Sequence, residues 1–299
     1  MQKKTQLSSS GLLLLAAIIW GFAFVAQRSG TQFVQPLTFN GVRFLLGSLS
    51  LVPVLFVFGK HRLDARGSLL PGLAAGCLLF LASSFQQYGI VHTTAGKAGF
   101  ITGLYVVFVP LLGLFLGHRA GASLWMAVAL AALGLFLLAG NVSGQVVKGD
   151  VLVLISALFW AFHVLAIQRI TQKHDPLIIA FLQFSFCAIF SIVGALLTEP
   201  LNFAGIMQAA LPIGYAGIFS VGVAFTLQVV GQKHTHPTSA AIILSLEALF
   251  AVIGGVIILH EALHLREFLG CVAMLGGMVL AQFPPSKLSV TRLKRAAMK

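Results

Sequence analysis

One arginine and one glutamate stand alone inside otherwise uncharged stretches. Arg43 is flanked by the uncharged runs 29–42 and 44–59, and Glu247 is the single charge in 237–259. A charged side chain in an apolar medium costs about 2.5 kcal/mol or more on insertion scales, so each must face a cavity, a partner or a head group. A guanidinium can hold a carboxylate. A carboxylate can hold an ammonium group or take up a proton. Asn40 lies three residues before Arg43, on the same side of a helix. His163 adds a second group able to carry a proton. Trp20 and Trp160, with Tyr88, Tyr105 and Tyr215, offer apolar faces with polar tips, and Gln86, Gln87, Gln183 and Gln228 offer amides.

These types together suit a small solute with opposite charges. The candidates for the wall of a substrate cavity are Trp20, Asn40, Arg43, Gln87, Tyr88, Tyr105, Trp160, His163 and Glu247, with Glu247 and His163 as candidate proton carriers. Each has a structural alternative. Arg43 can snorkel to head groups, Glu247 can lock two helices, the two can instead neutralise each other, His163 can be a hydrogen-bonded core residue, and the aromatics can simply fill a core.

The elements that position these residues must cross a bilayer. The 299-residue chain is 58% hydrophobic and only 9% charged, against about 25% charged in soluble domains. Charge-free runs at 5–27, 67–96, 98–118, 120–147, 176–198 and 200–232 each exceed the roughly 18 residues that mark a spanning helix. The expected fold is an all-α integral membrane protein with ten transmembrane helices. They fall near 11–27, 36–58, 69–89, 98–116, 123–140, 151–168, 176–198, 208–230, 237–259 and 268–283. Pro36, Pro176 and Pro237 sit at helix starts, where a missing N–H is harmless. The first segment reads as a retained helix, not a cleaved leader.

The net charge of +12 does not point to nucleic acid, because the basic residues gather at helix ends beside lipid head groups. For a cytoplasmic N-terminus, fourteen Lys and Arg fall inside: Lys3, Lys4, Lys60, Arg62, Arg66, Arg119, Arg169, Lys173, Lys233 and five in the C-terminal tail. Four fall outside: Arg28, Lys97, Lys148 and Arg266. The bias places both termini in the cytoplasm and the chain in an inner or plasma membrane. Cys77, Cys187 and Cys271 are scattered through apolar segments and read as buried thiols.

A repeat divides the chain. WGFAFVAQR (20–28) matches WAFHVLAIQR (160–169), with Trp20, Phe22 and Ala26 each 140 residues before Trp160, Phe162 and Ala166. Pro36–Leu37 and Pro176–Leu177 keep that offset, and His118 aligns with His260 at 142. The division falls in the linker GNVSGQVVKG, giving units 1–144 and 145–299. Five helices per unit place the second copy upside down, so the units form two inverted repeats, an arrangement that supplies two nearly equivalent packings.

With these pieces in view, the chain resembles the drug/metabolite transporter superfamily, in particular the bacterial EamA-type ten-helix carriers. The resemblance rests on WGFAFVAQR, TFNGVRFLLG (38–47), HTTAGKAGFITGLYVVFVPLLG (92–113) and TSAAIILSLEALFAVIGGVIILHEAL (238–263). The last carries Glu247 and a second acid, Glu261, before the final span. It departs from the family in lacking a Pro shortly after the intramembrane acid, while the first half keeps Pro110. The resemblance implies export or exchange of small metabolites, amino acids among them.

The function expected is a secondary transporter that moves a small metabolite by alternating access, with membrane lipid and a proton as further partners. An amino acid or related zwitterion, aromatic ones included, is the leading substrate class. The alternative is a channel-like facilitator, or a carrier for a nucleoside, sugar or organic cation. No enzyme is expected, because catalysis needs convergent groups and only isolated polar residues are visible; without a phosphate loop, an ATP-driven pump is not expected either. No cofactor is expected, and His234 and His236 make at most a loop pair, not a metal site.

Overall fold

The computed structural model describes residues 2–58, 65–93, 95–117, 121–138, 148–251, 253 and 265–282. Lys60, Arg62, His118, Arg119, the 144/145 boundary, His260, Glu261 and the basic C-terminal tail lie outside the described residues. The protein is an all-α multi-pass membrane protein. Among the described residues seven helical stretches are long and apolar enough to cross a bilayer: Ser8–Gly30, Pro36–Val57, Gly67–His92, Ala98–Phe115, Lys148–Ile170, Pro176–Thr198 and Ala210–Gln232. Three shorter apolar helices are Ala122–Leu137, Pro237–Ala251 and Phe268–Leu280.

In chain order the helices are α1 (Gln2–Gly30), α2 (Pro36–Phe58), α3 (Ala65–His92), α4 (Ala95–Gly103), α5 (Tyr105–Phe115) and α6 (Ala122–Leu138). There follow α7 (Lys148–Ile170), α8 (Pro176–Thr198), α9 (Phe203–Gln208), α10 (Ala210–Gly214), a π-helical segment (Tyr215–Phe225), α11 (Thr226–Gln232), α12 (Pro237–Leu244) and α13 (Leu265–Gln282). Three irregularities depart from the sequence reading. The expected helix 98–116 breaks at Leu104 into α4 and α5. The helix expected at 208–230 runs through the π segment, whose wider turns change which residues share a face. α12 passes through a turn at 245–246 before the helix resumes at Glu247.

Starts with proline behave as the chemistry requires. Pro36, Pro176 and Pro237 each open a helix. Asp175 accepts from Leu177 N at 2.9 Å and Ile178 N at 3.2 Å, and His236 Nδ1 accepts from Thr238 N at 3.3 Å. The bundle then assembles by close helix contacts: α3 on α7 and α8, α2 on α8 and the π segment, and α6 on α13. α2 and α8 run antiparallel, with Gly41 against Ile192 and Ser48 Oγ 2.7 Å from Ser185 Oγ.

Two close approaches need glycine. A Cβ at Gly89 of α3 would lie 2.5 Å from Val153 Cγ2 and 2.9 Å from Gly149 O of α7. A Cβ at Gly21 of α1 would lie 2.5 Å from Phe250 Cβ, in the helix that carries Glu247. At the same end as Gly89, Thr93 Oγ1 donates to Asp150 Oδ1 at 2.8 Å, and Arg28 Nη1 donates to Ile90 O at 2.7 Å. α1, α3 and α7 are therefore tied where α1 and α3 stop and α7 starts.

Overpacking a tight contact costs about 1–3 kcal/mol. Gly89→Ala should lower the thermal unfolding midpoint of the detergent-solubilised protein by several degrees. Gly11→Ala is the control, since a Cβ there meets nothing within 4 Å; it should leave the midpoint unchanged or raise it.

Candidate functional site

A cavity opens between the two halves of the chain. α1 contributes Trp20, Phe24 and Gln27, α2 contributes Arg43, and α3 contributes Gln86. Thr102 and Tyr105 come from either side of the Leu104 break, and Trp160 and Val164 from α7. Ser220 and Phe225 of the π segment, Gln228 of α11, and Leu244 and Glu247 complete the wall. The cavity holds about 480 Å³ of atom-free space, counting its open mouth, but little of that space is wider than a water molecule. It is narrow, and a bulky ring enters only if side chains move.

Both intramembrane charges line this cavity, and neither is the other's partner. Arg43 is 2% exposed and its Nε has no hydrogen-bond partner among the described residues. Its guanidinium carbon lies 5.5 Å from the Phe39 ring centroid and 4.9 Å from that of Phe44. The Cys187 thiol is close enough to feel its charge. Cation–π contacts contribute about 0.5–2 kcal/mol each, less than the several kcal/mol that desolvating a charge costs. The site therefore keeps an unmet demand for an anion. Glu247 is 5% exposed. The Tyr105 hydroxyl lies beside its carboxylate, but no bond of good geometry forms, and that hydroxyl is unpartnered.

Aromatic rings close the cavity on one side. Phe225 is their hub, with ring centroids 4.5 Å from Trp20, 5.6 Å from Trp160, 6.1 Å from Phe44 and 6.1 Å from Phe184. Trp20 Nε1 donates to Ser220 O at 3.2 Å, which fixes the first ring to the π segment. Beyond this plug the helices pack tightly. Gly231 meets Leu13, and Gln232 Nε2 donates to Val164 O at 3.3 Å. On the other side Gln86 Nε2 donates to Thr102 Oγ1 at 3.0 Å, while Gln27 Oε1 is buried without a partner among the described residues.

Of the residues picked out from the sequence, Trp20, Arg43, Tyr105, Trp160 and Glu247 line this cavity, as do Gln86 and Gln228. Five others have different surroundings. His163 is fully buried, with Nε2 2.8 Å from Gln183 Oε1. Gln87 sits behind the wall, its Nε2 3.4 Å from Gln27 O. Tyr88 donates to Glu199 Oε1 at 3.3 Å, near the end of the bundle. Asn40 is fully buried, and both its side-chain polar atoms lack a partner among the described residues. Tyr215 donates to Ile19 O at 3.0 Å.

Several wall residues escaped the sequence reading although helical spacing pointed to them. Phe24 and Gln27 follow Trp20 by four and seven residues. Thr102 precedes Tyr105 by three, Val164 follows Trp160 by four, and Leu244 precedes Glu247 by three. These spacings put each beside a recognised residue on one helix face. Ser220 and Phe225 carried no such signal.

A polytopic helical bundle with a polar, charge-lined cavity between its halves is the architecture of a membrane transporter for small molecules. The comparisons agree. The EamA-like transporter family matches residues 7–140 and again 147–283, and the chain belongs to that family of the drug/metabolite transporter superfamily. It is a transporter and not an enzyme. It is 31% identical over 269 residues to an Archaeoglobus fulgidus protein named an uncharacterized transporter, covering 90% of this chain and 83% of that one. It is 26% identical over 276 residues to the uncharacterized inner membrane transporter YedA of Escherichia coli, covering 90% and 89%. A crystal structure of a protein at 19% identity shares the fold, with a TM-score of 0.78 over 96% of this chain and 98% of the other.

Single cysteines test the wall. At positions 86, 102 and 228 a small hydrophilic thiol reagent should react at least about tenfold faster than at positions 163 and 183, which lie in the fully buried pair. Equal rates at both sets would contradict the assigned wall.

Proposed function

We propose that the protein is a secondary carrier for a small amino acid or related zwitterion, working by alternating access in the inner membrane. The observation that carries this reading is that Arg43 and Glu247 line one cavity without pairing with each other. The substrate carboxylate meets Arg43, its ammonium meets Glu247 and Tyr105, and its side chain lies against Trp20 and Trp160. The narrow free space favours small side chains over aromatic ones.

The cycle uses ten spans, the seven long and three shorter apolar helices taken together. They form two inverted five-helix units, 1–144 and 145–299, with both termini cytoplasmic. The antiparallel packing of α2 on α8, which match at an offset of 140 residues, supports the inversion. The cavity reaches from Gln27 and Gln86, toward the end where α1 and α3 stop, past mid-bundle to Val164 and Gln228. The aromatic plug stands at mid-bundle, and the Leu13–Gly231 contact lies in the opposite half. An inverted packing would open that half and close the other.

Counterflow in proteoliposomes, over amino acids, nucleosides, sugars and organic cations, tests the substrate class. Small neutral amino acids should exchange and compete. Transport of a sugar or nucleoside with no amino-acid competition would overturn the class. Truncating one side of a buried charge pair costs about 2–5 kcal/mol, so Arg43→Gln and Glu247→Gln should each weaken half-saturation about thirtyfold or more while the protein still inserts.

Proton coupling belongs to the same reading, with Glu247 as the carrier that touches the cavity and His163 as the second candidate. An imposed pH gradient at fixed voltage should change net accumulation, and Glu247→Gln should abolish that response while some exchange persists at raised substrate concentration. If the response survives Glu247→Gln and disappears in His163→Gln, the role passes to His163. Accumulation that ignores the gradient in the wild type would remove proton coupling altogether.

A further inference from the structure

The start of α2 is held by a side chain from the far end of α8. Gln35 precedes Pro36, and its carbonyl accepts from Phe39 N at 2.9 Å, which makes it the cap residue of the helix. The amides of Leu37 and Thr38 then need acceptors. Leu37 N donates to Glu199 Oε1 and Thr38 N to Glu199 Oε2, each at 2.8 Å. Thr38 Oγ1 adds a 2.8 Å bond to Oε2, and the Tyr88 hydroxyl of α3 donates to Oε1 at 3.3 Å. One carboxylate joins α2, α3 and the end of α8.

The second half meets the same need differently. α8 starts 140 residues after α2, and its equivalent amides, Leu177 N and Ile178 N, donate to Asp175 in the helix's own cap position. Gln35 stands at the offset of Asp175, and Gly59 at the offset of Glu199. An aspartate at position 35 would satisfy α2 locally. Capping alone therefore does not account for a carboxylate reaching across from the other half. Glycine has no side chain with which to build the mirrored connection.

The connection also holds two of the helices that wall the cavity. Thr38 is five residues before Arg43, and Tyr88 is two after Gln86, both of which line it. We propose that Glu199 is a positioning residue of the transport cycle. Its four bonds clamp α2 and α3 to α8 at the cavity-bearing end and bias the two packings toward the one seen here. This rests on the two-state reading given under Proposed function.

The test uses the full chain in proteoliposomes, with Cys77, Cys187 and Cys271 replaced by alanine. Position 102 reports the cavity, and position 13, packed on Gly231, reports the opposite half. Each is given a single cysteine and labelled with a membrane-impermeant maleimide. Glu199→Ala should slow labelling at 102 and speed labelling at 13, each about tenfold. Adding Gln35→Asp restores a local cap like that of α8. The double variant should regain thermal stability but keep the shifted labelling.

Labelling that returns to wild type with Gln35→Asp would make Glu199 a helix cap only and overturn the proposal. So would unchanged labelling in Glu199→Ala. If Glu199→Ala does not insert, Tyr88→Phe keeps both backbone bonds and removes one arm. It should shift labelling about threefold in the same direction, and no shift overturns the clamp. A position 13 that is inert in every background, tested from both sides, instead removes the two-state reading itself.

Discussion

Two buried charges that line one cavity and do not pair with each other are the constraint around which this bundle is built. In an apolar bundle a guanidinium and a carboxylate would normally find each other, because each alone is costly. Here Arg43 rests on the rings of Phe39 and Phe44, and Glu247 has the Tyr105 hydroxyl beside it. Both remain turned to the cavity. A solute that carries both charges completes the electrostatics that the protein leaves open. A neutral solute does not, and this separates a zwitterion from a sugar more sharply than cavity size does.

The rest of the wall serves that arrangement. The aromatic rings gather on Phe225, which stacks on Trp160 and meets Trp20 and Phe184 at steep angles, so they form a plug more than a cage. The plug sits at the junction of the π segment and α11, and Trp20 is bonded to a carbonyl inside that segment. Widened helical turns recur at functional sites because they redirect side chains and free backbone groups for other partners. Tight glycine contacts draw α1 toward the helix of Glu247, through Gly21, and α2 toward the π segment, through Gly47 and Gly217. The charge-bearing helices are thereby held close enough for one small cavity to touch both.

How much of this was legible in the sequence depends on the kind of signal. A lone charge in an uncharged run is conspicuous, so Arg43 and Glu247 stood out, and repeat-matched tryptophans did too. The apolar spans were readable to within a few residues because length and hydropathy are local properties. The Leu104 break, the π segment and the turn before Glu247 were not readable, since interhelical packing decides them. Asn40 and Arg43 share a helix face in sequence, yet only Arg43 lines the cavity, because neighbouring helices close over Asn40. Tyr88 is drawn to Glu199 by a contact 111 residues away in the chain, which no local pattern encodes. Ser220 and Phe225 lie where the helical period itself changes, and a 3.6-residue face mispredicts them.

The central claim is that the two charges read the two ends of one substrate. Measure counterflow inhibition by a transported amino acid, its methyl ester and its N-acetyl derivative, in wild type, Arg43→Gln and Glu247→Gln. Esterification should weaken inhibition about thirtyfold in wild type and have little further effect in Arg43→Gln, because the carboxylate's partner is already gone. N-acetylation should behave in the same way toward Glu247→Gln. If each modification weakens inhibition equally in all three proteins, neither charge reads the end assigned to it, and the account of the site is wrong.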